Sequence, residues 1–145
     1  MIGLIQRVSW AKVEVAGRVI ARIDQGIMVL VGIEKNDLSE QADKLLQRLI
    51  NYRLFADHDG KMNLSVKNIH GEILLVPQFT LAANTKKGLR PSFSSAKAPA
   101  EAEILFNYLH TQALQHYDKV ACGQFSADMQ VSLLNNGPVT FSIKV

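Results

Sequence analysis

Hydrophobic and polar positions along the first 34 residues follow a strand period rather than a helical one. The stretch "IGLIQRVSWAKVEVAG" is rich in β-branched residues and mixes apolar with polar positions, and Gly17 and Gly26 punctuate two further runs, "RVIARI" and "IMVLVGI". Three strands are predicted, the last of them central because it is apolar on both faces. The period then changes. Leu38, Ala42, Leu45, Leu46, Leu49 and Ile50 recur at helical spacing and make one apolar stripe on a helix of about four turns. Asp37, with Glu40 three residues later, has the form of a capping box at its start.

"ADHDGKMNLSV" is turn-rich and predicts a hairpin or exposed loop, and "EILLVPQFTLAA" predicts the next strand. Pro99 opens a second helix, where its missing N–H costs little, with Glu101 and Glu103 in the first turn, where the helix dipole favours acids. Ala100, Ile104, Leu105, Tyr108, Leu109 and Ala113 supply its expected buried face. Three strands close the chain: "KVACGQF", "MQVSLL" and "PVTFSIKV". In the last, Val139, Phe141, Ile143 and Val145 alternate with Thr140, Ser142 and Lys144, as in a half-buried strand. Strands this numerous with only two helices favour an α+β domain, barrel-like and rich in antiparallel pairing, over a doubly wound sheet.

Composition changes this picture little. At 145 residues, 48% hydrophobic and 20% charged, the chain fits one globular domain spanning residues 1 to 145. No apolar run approaches the roughly 20 residues of a membrane helix. "MIGLIQRVSW" is strand-like and carries Arg7, unlike a signal peptide. The one cysteine, Cys122, predicts a reducing, cytoplasmic setting. A net charge of +3 says only that an anionic partner is not repelled.

Candidate chemistry falls in two stretches. If "VPQFTLAA" is one strand, Val76, Gln78, Thr80 and Ala82 point one way, and Pro77, Phe79, Leu81 and Ala83 the other. Phe79 and Leu81 then anchor the core while Gln78 and Thr80 face a cavity, a partner or water. Pro77 lacks a ladder donor and belongs at an edge or bulge. A loop follows with Lys86, Lys87 and Arg90 and no acid beside them. The second stretch is "NNGPVT", where Gly137-Pro138 can present main-chain oxygens as rigid groups or be an ordinary turn. Taken alone, a strand with one solvated face, a solvated charge run and a plain turn explain these features as well. Other motifs fail sooner. The four histidines show no ligand spacing, "DHDG" lacks the rest of a calcium loop, and Cys122 reads as a packing residue. No phosphate-binding glycine motif, H-E-x-x-H or G-x-S-x-G is present, so neither a metal nor a cofactor is expected.

Together the stretches are specific. "PQFTL" at 77 to 81, "GLRPSF" at 88 to 93 and "NNGPVT" at 135 to 140 resemble the signatures of the D-aminoacyl-tRNA deacylases. "LIQRVSWAKVEVAG" and "VLVGIEKND" are similar to that family's first strands, so the likeness covers nearly the whole chain. The resemblance implies a cytoplasmic homodimer that hydrolyses the ester joining a D-amino acid to tRNA, and that also clears mischarged glycine. It implies that Gln78, Phe79 and Thr80 line the catalytic pocket of one subunit, beside Pro77. Gly137 and Pro138, cis in the family, then reach in from the partner with Val139 and Thr140 and reject L-residues. Lys86, Lys87 and Arg90 would contact tRNA phosphates. Catalysis would lean on the tRNA's terminal 2′-OH and a bound water, with Thr80 positioning them.

Three positions depart from the family pattern: Pro77 replaces a usual serine, Ser126 a glycine and Asn136 an aspartate. Pro77 removes both a hydroxyl and an N–H. A tRNA-binding module that lost activity through Pro77, or a purely structural homodimer, are the competing readings.

Overall fold

In a computed structural model that describes residues 1–86 and 88–145, β1 (Ile2–Val15) is the spine of the molecule. One side of it pairs antiparallel with two strands in succession, β2 (Arg18–Ile23) along residues 11–15 and β3 (Gly26–Gly32) along residues 2–8. The turn from β1 to β2 is made by Ala16 and Gly17, both at positive φ. On its other side β1 pairs along nearly its whole length with β8 (Met129–Lys144). Beyond β3 the sheet continues in parallel through β6 (Glu72–Pro77) to β7 (Val120–Cys122). The result is a mixed six-stranded sheet curled toward a barrel. The predicted α+β architecture with two helices therefore holds, with the parallel pairs as an addition.

Two helices, α1 (Ser39–Asn51) and α2 (Pro99–His116), cover one face. Between them and the sheet lies the larger core, which includes Ile5, Ile27, Val29, Leu45, Leu49, Ile73, Leu75, Phe106 and Leu109. The barrel interior holds a smaller one built from Val8, Ala11, Val13, Ile23, Met28, Leu74 and Val76. β3 is buried on both faces, as its unbroken apolar run requires. The segment 55–64 forms the expected hairpin, β4 (Phe55–Ala56) with β5 (Met62–Leu64).

Several details differ from the sequence reading. Asp37 does not cap α1. Its carboxylate instead takes the chain's own N-terminal ammonium at 2.6 Å, in a buried ion pair, and accepts the N–H of Glu34. The capping contact comes from Gln41, whose Oε1 accepts the N–H of Leu38 at 2.9 Å. Leu38 is exposed, because it precedes the helix rather than lying on its stripe. On α2 the buried residues are Ala102, Leu105, Phe106, Leu109 and Ala113, while Ile104 and Ala100 face solvent. The two C-terminal runs are one strand, β8, in which Ile143 is buried while Thr140, Ser142 and Lys144 are exposed, so the predicted alternation stands.

Candidate functional site

The stretch 76–83 is not one strand. β6 ends at Pro77, Gln78 turns out of the sheet, and Phe79–Ala82 wind into a single 3₁₀ turn. The period-two assignment therefore fails beyond Pro77. Phe79 does not anchor the core: it is 59% exposed and stacks, tilted, on Phe93 with ring centroids 5.1 Å apart. Ala82 is the residue that plugs inward. The turn is seated against the end of β3 at Gly32, where a Cβ would lie 2.7 Å from the Cβ of Leu81. Only glycine admits that approach.

Pro77 sits where its missing N–H is harmless. In a parallel ladder, alternate residues bond to opposite neighbours. The N–H of Gln78 goes to Val31 O on β3 at 2.8 Å, whereas Leu75 O receives Gly123 N–H from the β7 side at 2.8 Å. An N–H at position 77 would point to the β7 side, past Leu75, the last β6 residue in the β7 register. The expectation of a local edge is met there.

At the turn, Gln78 Nε2 donates to Thr80 Oγ1 at 2.6 Å, which fixes both side chains on the open surface. The main-chain N–H groups of Phe79 and Thr80 lie in the first turn, where a helical ladder offers them no acceptor. Neither donates to a described residue, although Leu81 and Ala83 do. Two adjacent main-chain N–H groups without an acceptor among the described residues thus adjoin a hydroxyl and an amide.

The second motif lies elsewhere. Val8 pairs with Asn135 and Gln6 with Thr140, so four residues of β8, 136–139, oppose the single residue Arg7. The excess is thrown out as a bulge carrying the cis Gly137-Pro138 bond, with both residues exposed. Gly137 has φ +133, and a Cβ on it would meet Val139 N at 2.9 Å. Arg7 props the bulge: its Nε donates to Asn136 O at 2.9 Å and its guanidinium to Leu54 O at 2.7 Å. Sequence reasoning missed this role, because Arg7 is one of several polar residues in a strand that mixes apolar and polar positions.

Counted through the sheet, bulge and turn are three strands apart, roughly 14 Å at about 4.8 Å per step, and offset by four residues along the strands, about 13 Å. No hydrogen bond or ion pair joins residues 77–80 to 137–140 among the described residues. Residues 77–80 and 137–140 thus form two separate clusters in this chain.

Lys86 and Arg90 project from the loop that follows, exposed, while Lys87 lies outside the described residues. His110 Nδ1 and Cys122 Sγ stand 3.5 Å apart, a proximity that local sequence did not reveal. Burial pushes the thiol pKa up and the imidazole pKa down, so both favour the neutral form, which suits packing rather than nucleophilic attack. Asp57, His58 and Asp59 cluster on the exposed hairpin tip. Two clefts, about 590 Å³ beside Lys67 and His116 and about 530 Å³ beside Glu34 and Lys144, touch neither motif.

Solved structures share this architecture as a class. A c-Myc DNA unwinding element binding protein superposes with a TM-score of 0.95 at 36% identity, over 100% of this chain and 99% of that one. A probable eukaryotic D-amino acid tRNA deacylase shares the fold at a TM-score of 0.85 and 14% identity, over 98% of each chain. The chain belongs to the D-Tyr-tRNA(Tyr) deacylase family, whose profile matches residues 4–144. Curated D-aminoacyl-tRNA deacylases of Pseudomonas putida KT2440 (59% identical, 100% of both chains) and Stutzerimonas stutzeri A1501 (58%, 99% of both) are similar end to end.

Proposed function

We propose that this protein is a D-aminoacyl-tRNA deacylase that works in the cytoplasm as a homodimer, with each site completed by the bulge of the partner. Besides family membership, one observation carries the reading: two exposed main-chain motifs, each rigidly seated, stand apart in a single protomer. The 137–138 bulge leaves the edge strand with both of its residues exposed. A two-fold related copy would supply the missing half to each turn.

The chemistry suits main-chain groups. An aminoacyl ester is already activated, so the enzyme needs to hold the carbonyl and stabilise the oxyanion rather than bring a strong nucleophile. The N–H groups of Phe79 and Thr80, without an acceptor among the described residues, would serve that oxyanion. Water adds to the acyl carbon, the bond to the ribose oxygen breaks, and that oxygen takes the proton. The terminal 2′-OH relays the proton, held by Thr80, whose hydroxyl is itself fixed by Gln78. The main-chain oxygens of Gly137 and Pro138, with Val139 and Thr140 behind them, hold the α-ammonium. An L-side chain would then collide with those oxygens, whereas a D-side chain or the hydrogen of glycine points away. This veto ignores side-chain identity, so many D-residues pass.

Release of tyrosine from matched D- and L-tyrosyl-tRNA by the purified protein tests this reading. Rapid release of D alone is expected. Release of neither by folded protein would favour a tRNA-binding module, and release of both would remove the chiral filter.

A further inference from the structure

The loop after the 3₁₀ turn carries a feature that phosphate binding does not use. Leu89, at its tip, is fully exposed, at 106% of its reference area and beyond any other large apolar side chain described. The projection is built rather than frayed. Asn84 and Ser92 clasp its base through two main-chain bonds of 2.7 and 3.0 Å, and Asn84 Oδ1 accepts the N–H of Lys86 at 3.0 Å. The clasp stands next in sequence to Phe93, which stacks on Phe79, so the loop leaves from beside the 3₁₀ turn. The tip is three residues from Ser92, a reach of up to roughly 10 Å. No acid occurs between Glu72 and Glu101, and Lys86 and Arg90 flank the leucine.

An apolar knob between cations matches a strand whose backbone is anionic and whose bases have unpaired apolar faces. Resting on the deacylase reading above, we infer that Leu89 packs against a base of the single-stranded 3′ tail, upstream of the esterified nucleoside. Lys86 and Arg90 neutralise the adjoining phosphates. The short reach selects the unpaired tail over the duplex stem, and stacked or splayed bases of such tails are read in this way by apolar side chains. The loop then acts as a gauge that requires nucleotides beyond the terminal one.

Leu89→Ser is expected to leave the fold untouched because the side chain is fully exposed. The variant and wild type are compared on D-tyrosyl-tRNA, on a D-tyrosyl single-stranded oligonucleotide ending in CCA, and on D-tyrosyl-adenosine. Expected is a loss of about tenfold in kcat/KM on the first two substrates and none on the third. Equal rates on all three, or an equal loss on all three, would overturn the inference. So would a shift in the solution mass of Leu89→Ser, which would make the leucine a contact between copies. Wild type that leaves D-tyrosyl-adenosine and D-tyrosyl-tRNA intact would instead remove the deacylase reading, and this inference with it.

Discussion

Thr80 is the residue whose role the geometry constrains most. Its hydroxyl is already the acceptor of Gln78 Nε2 at 2.6 Å, and the described hydrogen bonds bring it no basic partner. A positioning group and a nucleophile differ in what their loss costs. Thr80→Val removes the hydroxyl at nearly constant volume. The expected effect on single-turnover hydrolysis of D-tyrosyl-tRNA is about tenfold, the worth of one hydrogen bond. A drop of about a thousandfold or more would mark the hydroxyl as the attacking group. The sequence made Gln78 and Thr80 visible because polar side chains interrupt an apolar run, and neighbours two apart were expected to share a face. They do meet, but through a 3₁₀ turn rather than a strand. Ser126 is a departure with a backbone cost: it adopts φ 62, a conformation glycine favours, in a tight turn before β8.

At the scale of elements, the seat of the turn is Gly32. Its missing Cβ lets Leu81 and Ala82 close on the end of β3. Gly32→Ala forces that contact apart by tenths of an ångström to an ångström. It should cost about 1–3 kcal/mol in a urea titration and lower kcat with it, because Phe79 and Thr80 ride on the same turn. Unchanged stability and turnover would show that the turn is not held there. Strands were legible wherever burial imposes a period, as in β1, β3 and the end of β8. Legibility stopped where the backbone departs from its element. The turn after Pro77 needs only a tertiary neighbour small enough to admit it, and the 136–139 bulge is set by register against β1. Neither leaves a periodic trace. On α2 Leu105, Leu109 and Ala113 are buried as expected, but the face is rotated: Phe106 turns to Phe125, a partner distant in sequence, and Ile104 is left outside.

The whole molecule is closed where its termini meet. Met1 N donates to Asp37 and to Val145 O, and Val145 N–H returns to Met1 O. Glu34 stands beside this knot. Burial raises its pKa, but Lys144, bonded at 2.6 Å, and the N-terminal ammonium together hold it below the ordinary value of 4.5. A depressed carboxyl pKa contributes stability above its unfolded value and loses it as pH falls through the folded one. Urea midpoints of wild type should therefore drop as pH is lowered from 4.5, and Glu34→Gln should flatten that limb. Parallel curves for the two proteins would show that Glu34 contributes nothing to acid stability.

The central claim is that turn and bulge from different chains form one site. Thr80→Trp fills the space before the turn, and Gly137→Ala displaces the bulge, since its φ of +133 and the 2.9 Å approach to Val139 N leave no room. Each homodimer is expected to be inactive on D-tyrosyl-tRNA. Mixed by unfolding and refolding together, they should recover about a quarter of wild-type activity, because half the dimers are mixed and each carries one intact site. If both motifs of one site came from the same chain, every site in the mixture would hold one defect, and no activity would return.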